Sequence, residues 1–240
     1  MIPLRDTIPS SRRPVVTYVL LALNVVVFLY ELSLGRAIEP FILQWGLVPA
    51  RFMLTEPSSW VPVLTSMFLH GGWAHVGGNL LYLWIFGDNV EDRMGHGRYL
   101  FFYLACGTCA ALAQTLASPG SPTPMVGASG AIAGVLGAYL LYYPHARVVT
   151  LVPIFFFIQL IEIPALFFLL LWFAMQLVNG AASLTRATAA TGGVAWWAHL
   201  GGFAAGIVLG LLLGYGRPKA VSRTQGGFWP RQPGGTPWGR

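Results

Sequence analysis

Apolar residues run along this chain in blocks, separated by short segments that gather most of the polar and charged side chains. A helix needs about 20 mostly apolar residues to cross the hydrocarbon core of a bilayer. Six blocks are predicted as spanning helices, at about 14–34, 73–90, 98–118, 128–143, within 148–182, and 195–215. The fourth is short, and the fifth is interrupted by Pro153 and Pro164. The expected fold class is all-α, a polytopic bundle of six transmembrane helices. Residues 35–62 are too polar to span and too apolar to lie free in water, which predicts a partly helical interfacial segment after the first helix. SPGSPTP at 118–124 reads as a turn, and 183–194 as a small polar loop. The chain divides into an N-tail at 1–13, a membrane domain at 14–216 and a basic Gly/Pro-rich C-tail at 217–240, read as disordered.

Composition narrows the solvent. Only 9% of residues are charged against 55% hydrophobic, whereas a soluble domain carries about 25% charged residues. Polar groups cannot cover such a surface, so lipid must be the main solvent. The net charge of +6 does not point to nucleic acid, because the basic residues lie in the segments between apolar blocks. With six spans, Arg36, Arg51 and Arg186 fall on one side, and Arg5, Arg12, Arg13, Arg93, Arg98, Arg147, Arg217, Lys219, Arg223, Arg231 and Arg240 on the other, with both termini. That bias predicts cytoplasmic termini. The block after Arg13 is too long for a signal peptide and lacks a small-residue cleavage pattern. Cys106 and Cys109 sit inside an apolar block and read as small packing residues rather than a redox pair.

Polar residues inside the blocks need a reason. His75 with Asn79, Ser129, and His199 each lie near the outer end of a span running from outside to inside. From His75 to Glu91 is roughly 24 Å of helix, and Ser129 to Arg147 and His199 to Arg217 are each roughly 27 Å. Three spans thus place polar groups at matching heights, as one shared site requires. Ser129 follows Gly127 and precedes Gly130 where a turn opens a helix, and the unpaired N–H groups there suit a developing oxyanion. His199 is the base that a serine nucleophile needs. Gly202, Gly206 and Gly210 share its face, and Ser129, Ala133 and Gly137 form a matching stripe, so two backbones can approach closely. His75 and Asn79 share a face and can donate toward one point. No carboxylate is found at this height, so a Ser–His dyad is expected rather than a triad. Each group also has a plainer reading: a packing serine, a histidine bonded to a carbonyl or headgroup, a polar clamp between helices.

These residues resemble the rhomboid family of intramembrane serine proteases. The likeness covers about 45–215 and is carried by WGLVP at 45–49, His70 with His75 and Asn79, FGDNVEDRMG at 86–95, GASG at 127–130 and AHLGGFAAG at 198–206. It implies a Ser129 nucleophile, a His199 base, and an oxyanion site formed by His75, Asn79 and the Ser129 N–H. Gly127, Gly130, Gly202 and Gly206 support the site. It implies no cofactor or metal, a water-filled cavity open to the outer side, transmembrane proteins as substrates, and a bacterial cytoplasmic membrane as location. Some bacterial members carry a tyrosine one turn after the serine, stacked on the histidine; here that position is Ala133. Tyr139, Trp196 and Trp197 are candidates to orient His199 in its place, and Trp172 and Phe173 of the fifth span are candidate gate residues.

The sequence also admits two rival readings. A catalytically silent relative would bind membrane clients without cutting them, although such relatives usually lack the Ser or His kept here. A channel or transporter would fit the interrupted fifth block, but no internal repeat is found. No HExxH occurs, and none of Asp6, Asp88 and Asp92 lies deep enough for an aspartyl site.

Overall fold

Among the described residues, four helices are long and apolar enough to cross a bilayer: Val15–Ser33, His96–Ala117, Ala165–Ala182 and Trp196–Leu213. In the computed structural model, which describes residues 1–154, 157–185 and 195–214, these belong to α1 (Val15–Ser33), α5 (His96–Ala117), α7 (Ala165–Thr185) and α8 (Trp196–Leu213). Their outward faces expose Val26, Val178 and Leu212. A helix apolar on its outward face as well as its inner one is solvated by lipid, and the chain is an integral membrane protein.

The second and fourth predicted spans coincide with α4 (Trp73–Met94) and α6 (Ser129–Tyr142). α4 carries more polar residues than those four helices, and α6, at 14 residues, is shorter than any of them. Both are central. α6 is buried along nearly its whole length from Gly130 to Tyr139. It locks against α8 through glycine: a Cβ on Gly202 would lie 2.0 Å from the Gly130 carbonyl oxygen, and one on Gly206 2.0 Å from that of Gly134. The two backbones touch, as the small-residue stripes predict. Cys106 packs against Gly134, and both cysteines are free thiols. The interfacial segment is partly helical, with α2 (Ile38–Trp45), α3 (Trp60–Thr65) and short 3-10 turns.

The all-α expectation needs correction, because the fold is mostly helical with a three-stranded antiparallel sheet. β1 (Ile2–Asp6) pairs with β2 (Arg147–Ile154), which pairs with β3 (Phe157–Pro164). The block at 148–182 is therefore a hairpin followed by a helix. Apolarity does not separate a strand from a buried helix. The run VVTLV is rich in β-branched residues, which favour strands, and α7 begins directly after Pro164. The predicted tail at 217–240 lies outside the described residues, as does most of the loop at 183–194.

At the sheet end, Glu91 fastens α4 to α1. Its buried carboxylate accepts hydrogen bonds from the backbone N–H groups of Val16 (2.9 Å) and Thr17 (2.7 Å) and from the Thr17 hydroxyl (2.7 Å). Helix N-termini leave such donors unpaired, and a carboxylate there also meets the positive end of the helix dipole. Asp6 of β1 accepts hydrogen bonds from Tyr139 of α6 and from Asn89 of α4.

Candidate active site

Ser129 is the first residue of α6. The turn before it depends on Gly127, whose φ of 121° favours glycine and whose N–H donates to the Ser66 carbonyl at 2.9 Å. A Cβ on Gly127 would lie 2.6 Å from His75 Nε2 and 3.6 Å from Asn79 Nδ2. The missing side chain thus lets both groups of α4 reach the turn two residues before Ser129. Asn79 is buried, and its Nδ2 has no hydrogen-bond partner among the described residues. An unpaired buried donor is uncommon and calls for a reason.

His199 lies in the first turn of α8, buried opposite Ser129. Its Nε2 is 2.8 Å from Ser129 Oγ, and its Nδ1 is 2.7 Å from Gln176 Oε1 on α7. An amide oxygen only accepts, so the ring proton belongs on Nδ1, and the Ser129 hydroxyl donates to Nε2. Two tryptophans flank the ring. Trp172 lies tilted at 5.9 Å between centroids and Trp196 meets it edge-on at 6.2 Å. Gln114 of α5 accepts a hydrogen bond from the Ala198 N–H at 3.3 Å, steadying the start of α8. Beside Ser129 lies a small cavity lined by Met67, Gly107, Ala110, Gly130 and Ala198.

All the residues singled out for one site come together here. His75, Asn79, Gly127, Ser129, Gly130 and His199 converge, with Gly202 and Gly206 closing α8 onto α6. Of the candidates to orient His199, Trp196 touches it, whereas Tyr139 bonds Asp6 at the other end of α6. Trp197 has a buried indole nitrogen with no partner among the described residues. Gln176 was not foreseen, although an amide within an apolar span is a signal of the kind that marked His75. The expectation of no carboxylate at this height is also overturned. Glu31, near the end of α1, is buried and accepts the His70 N–H at 3.1 Å. His70 in turn stands 5.3 Å from the His75 ring. Glu31 does not replace Gln176 at His199.

The Rhomboid domain family matches residues 57–216, and the chain belongs to the rhomboid family. It is similar to "Rhomboid protease GluP" of Bacillus subtilis, 37% identical over 132 residues, 55% of this chain and 25% of that protein. It is 29% identical over 140 residues to "Rhomboid protein 1, mitochondrial" of Saccharomyces cerevisiae, covering 56% of this chain and 38% of the relative. It is also 29% identical over 118 residues to "Rhomboid-like protein 11, chloroplastic" of Arabidopsis thaliana, covering 49% and 42%. The chain thus spans less than half the length of each of these three relatives.

Proposed function

We propose that this rhomboid-family chain is an intramembrane serine endopeptidase, hydrolysing peptide bonds in or near transmembrane segments of other membrane proteins. The observation that carries the reading is the 2.8 Å approach of His199 Nε2 to Ser129 Oγ, with the opposite ring nitrogen held at 2.7 Å by Gln176. Ser129 Oγ attacks the scissile carbonyl carbon while Nε2 takes its proton. The carbonyl electron pair moves onto oxygen, which His75, Asn79 and the Ser129 N–H stabilise by hydrogen bonds. The intermediate collapses, and the leaving amine takes the proton from Nε2. A water then gives its proton to Nε2, attacks the ester and releases the acid, and Ser129 is restored. Nδ1 keeps its proton throughout. A neutral acceptor such as Gln176 orients the ring but stabilises an imidazolium less than a carboxylate would.

In this reading α4 and α6 join the four apolar helices to make six spans, with both termini cytoplasmic in a bacterial membrane. The 14 residues of α6 reach only about 21 Å, less than a hydrocarbon core of about 30 Å. A site at its start can therefore be wetted from the outer side. A stable substrate helix hides its peptide bonds, so clients with small or helix-breaking residues near their outer end are favoured. The small cavity beside Ser129 suits a small side chain. α7, with Trp172 over His199 and Phe173 on the next position, is the candidate gate.

The test is labelling of the purified chain with a serine-reactive fluorophosphonate, beside cleavage of a transmembrane reporter in vesicles. Labelling at Ser129 and cleavage are expected, both lost in Ser129→Ala and His199→Ala. Reporter binding that survives in Ser129→Ala, with no labelling or cleavage by the native chain, would overturn the reading in favour of a client-binding protein.

A further inference from the structure

The hairpin β2–β3 carries no charged residue from Val148 to Ile161. Near its base it is covered, with Val148 and Thr150 fully buried against the bundle. Toward its tip it is bare. Phe157 is 72% exposed, Ile158 71% and Leu160 66%. In water such an apolar tip would be an aggregation liability.

The strand register says which way the tip faces. Val148, Thr150 and Val152 share one face, joined by their antiparallel partners Ile163, Ile161 and Gln159. Phe157, two residues from Gln159, continues that face. At its base this face is buried, at Val148 and Thr150, and further out it is exposed, at Gln159 and Phe157. Ile158 and Leu160 lie on the opposite face, so exposed apolar side chains stand on both sides of the hairpin, with Gln159 the polar one beside Phe157. At the base, β3 passes without a linker from Pro164 into Ala165 of α7, a helix able to span. Phe167, in the first turn of α7, is 65% exposed and extends the same apolar surface. The basic residues of this end, Arg5, Arg12, Arg13 and Arg147, are exposed around the sheet, where anionic headgroups would meet them. Glu162, the acidic residue on the hairpin, is paired with Arg147 at 3.9 Å.

We propose that the β2–β3 hairpin is a membrane-dipping finger, seated in the leaflet on the sheet side of the same bilayer that α7 crosses. Its occupant is phospholipid: acyl chains around Phe157, Ile158 and Leu160, headgroups around the arginines. The free edge of β3 has backbone groups that hydrocarbon cannot satisfy, so the finger rests at the depth where headgroups and water still reach that edge. The proposal requires that α7 spans, and is independent of the Ser129 chemistry.

The test uses the unmodified chain in vesicles of phosphatidylethanolamine and phosphatidylglycerol, a fraction bearing a photoreactive diazirine on the acyl chain. After illumination, lipid adducts are mapped by mass spectrometry. Adducts on residues 157–161 at a yield comparable with those on 167–171 of α7 are expected. Replacing Phe157, Ile158 and Leu160 together by glutamate is expected to lower hairpin adducts about tenfold while α7 adducts persist. Adducts on α7 with none on the hairpin of the native chain would overturn the proposal. Crosslinks from the hairpin to a second copy or to another protein in place of lipid would overturn it equally.

Discussion

The two ends of α4 and α6 use polar residues in opposite ways. At the sheet end, Glu91 accepts three hydrogen bonds from α1 and lies 2.5 Å from His96 Nδ1, while Asp92 accepts from the Ser11 backbone and hydroxyl. At the Ser129 end, Asn79 Nδ2 and His70 Nε2 are buried without partners among the described residues. Ser129 and His199 meet through one contact, and His199 is held from behind by Gln176. The sheet end is paired at its carboxylates, although Arg93 Nε and Nη1 are buried there without hydrogen-bond partners among the described residues, the guanidinium lying over the Tyr142 ring; the other end leaves donors unspent beside Ser129. Buried polar groups that satisfy one another hold a fold together. Groups left unsatisfied lower stability and are retained where an incoming molecule can use them. In the proposed reading the same helices serve as a fastening at one end and as a receptive site at the other.

The contrast is broken most directly at its receptive end. His199→Ala should lower reporter cleavage by at least about 10⁴-fold, and adding Ser129→Ala should lower it no further, because residues acting as a unit are not additive. Thermal unfolding of both variants should stay near that of the parent; a large loss of stability would refute the division of labour. The reverse is expected of Glu91→Ala, which leaves the first N–H groups of α1 unpaired. It should cost about 3 kcal/mol or more, read by denaturant unfolding in detergent, with activity per folded molecule largely kept.

Gln176→Leu sits between these extremes. Loss of the hydrogen bond to Nδ1 should reduce kcat about tenfold, the equivalent of ~1.4 kcal/mol, with KM little changed. Gln176→Glu keeps an acceptor there and should recover more activity than the leucine variant. Equal losses in both would show that Gln176 only packs.

The smallest effect is expected at Asp6. Burial raises its carboxyl from 3.8 to about 7, against the opposing pull of the Tyr139 hydrogen bond. Between those values the docked strand holds a proton that the released strand gives up. Docking is therefore strongest below pH 3.8 and is lost as pH rises through about 7. Hydrogen exchange at residues 2–6, corrected for intrinsic rates, should show protection falling between about pH 4 and 7 and levelling off above that. Asp6→Asn should abolish that trend.

Much of the site was legible because its markers are local. A histidine four residues before an asparagine on one helix must share a face with it, and GASG before an apolar block opens a helix wherever the rest of the chain goes. Gln176 was hidden because its relation to His199 crosses 23 residues and two helices. Glu91 was visible as part of a family motif, but its task, capping α1 across 74 residues, was not. The hairpin was missed for a different reason, since Val and Ile satisfy a lipid-facing helix and an apolar strand alike.

The sequence by itself determined that lipid is the main solvent, where the apolar blocks lie, and which serine and histidine are expected at one height. These follow from rise per residue and transfer free energy, both counted along the chain. Only the tertiary structure decided which partner each buried polar group has, that the N-terminal strand joins a hairpin rather than trailing free, and which amide faces the back of His199. Hydrogen-bond pairing depends on a few tenths of a nanometre between distant segments, and no one-dimensional periodicity carries that distance.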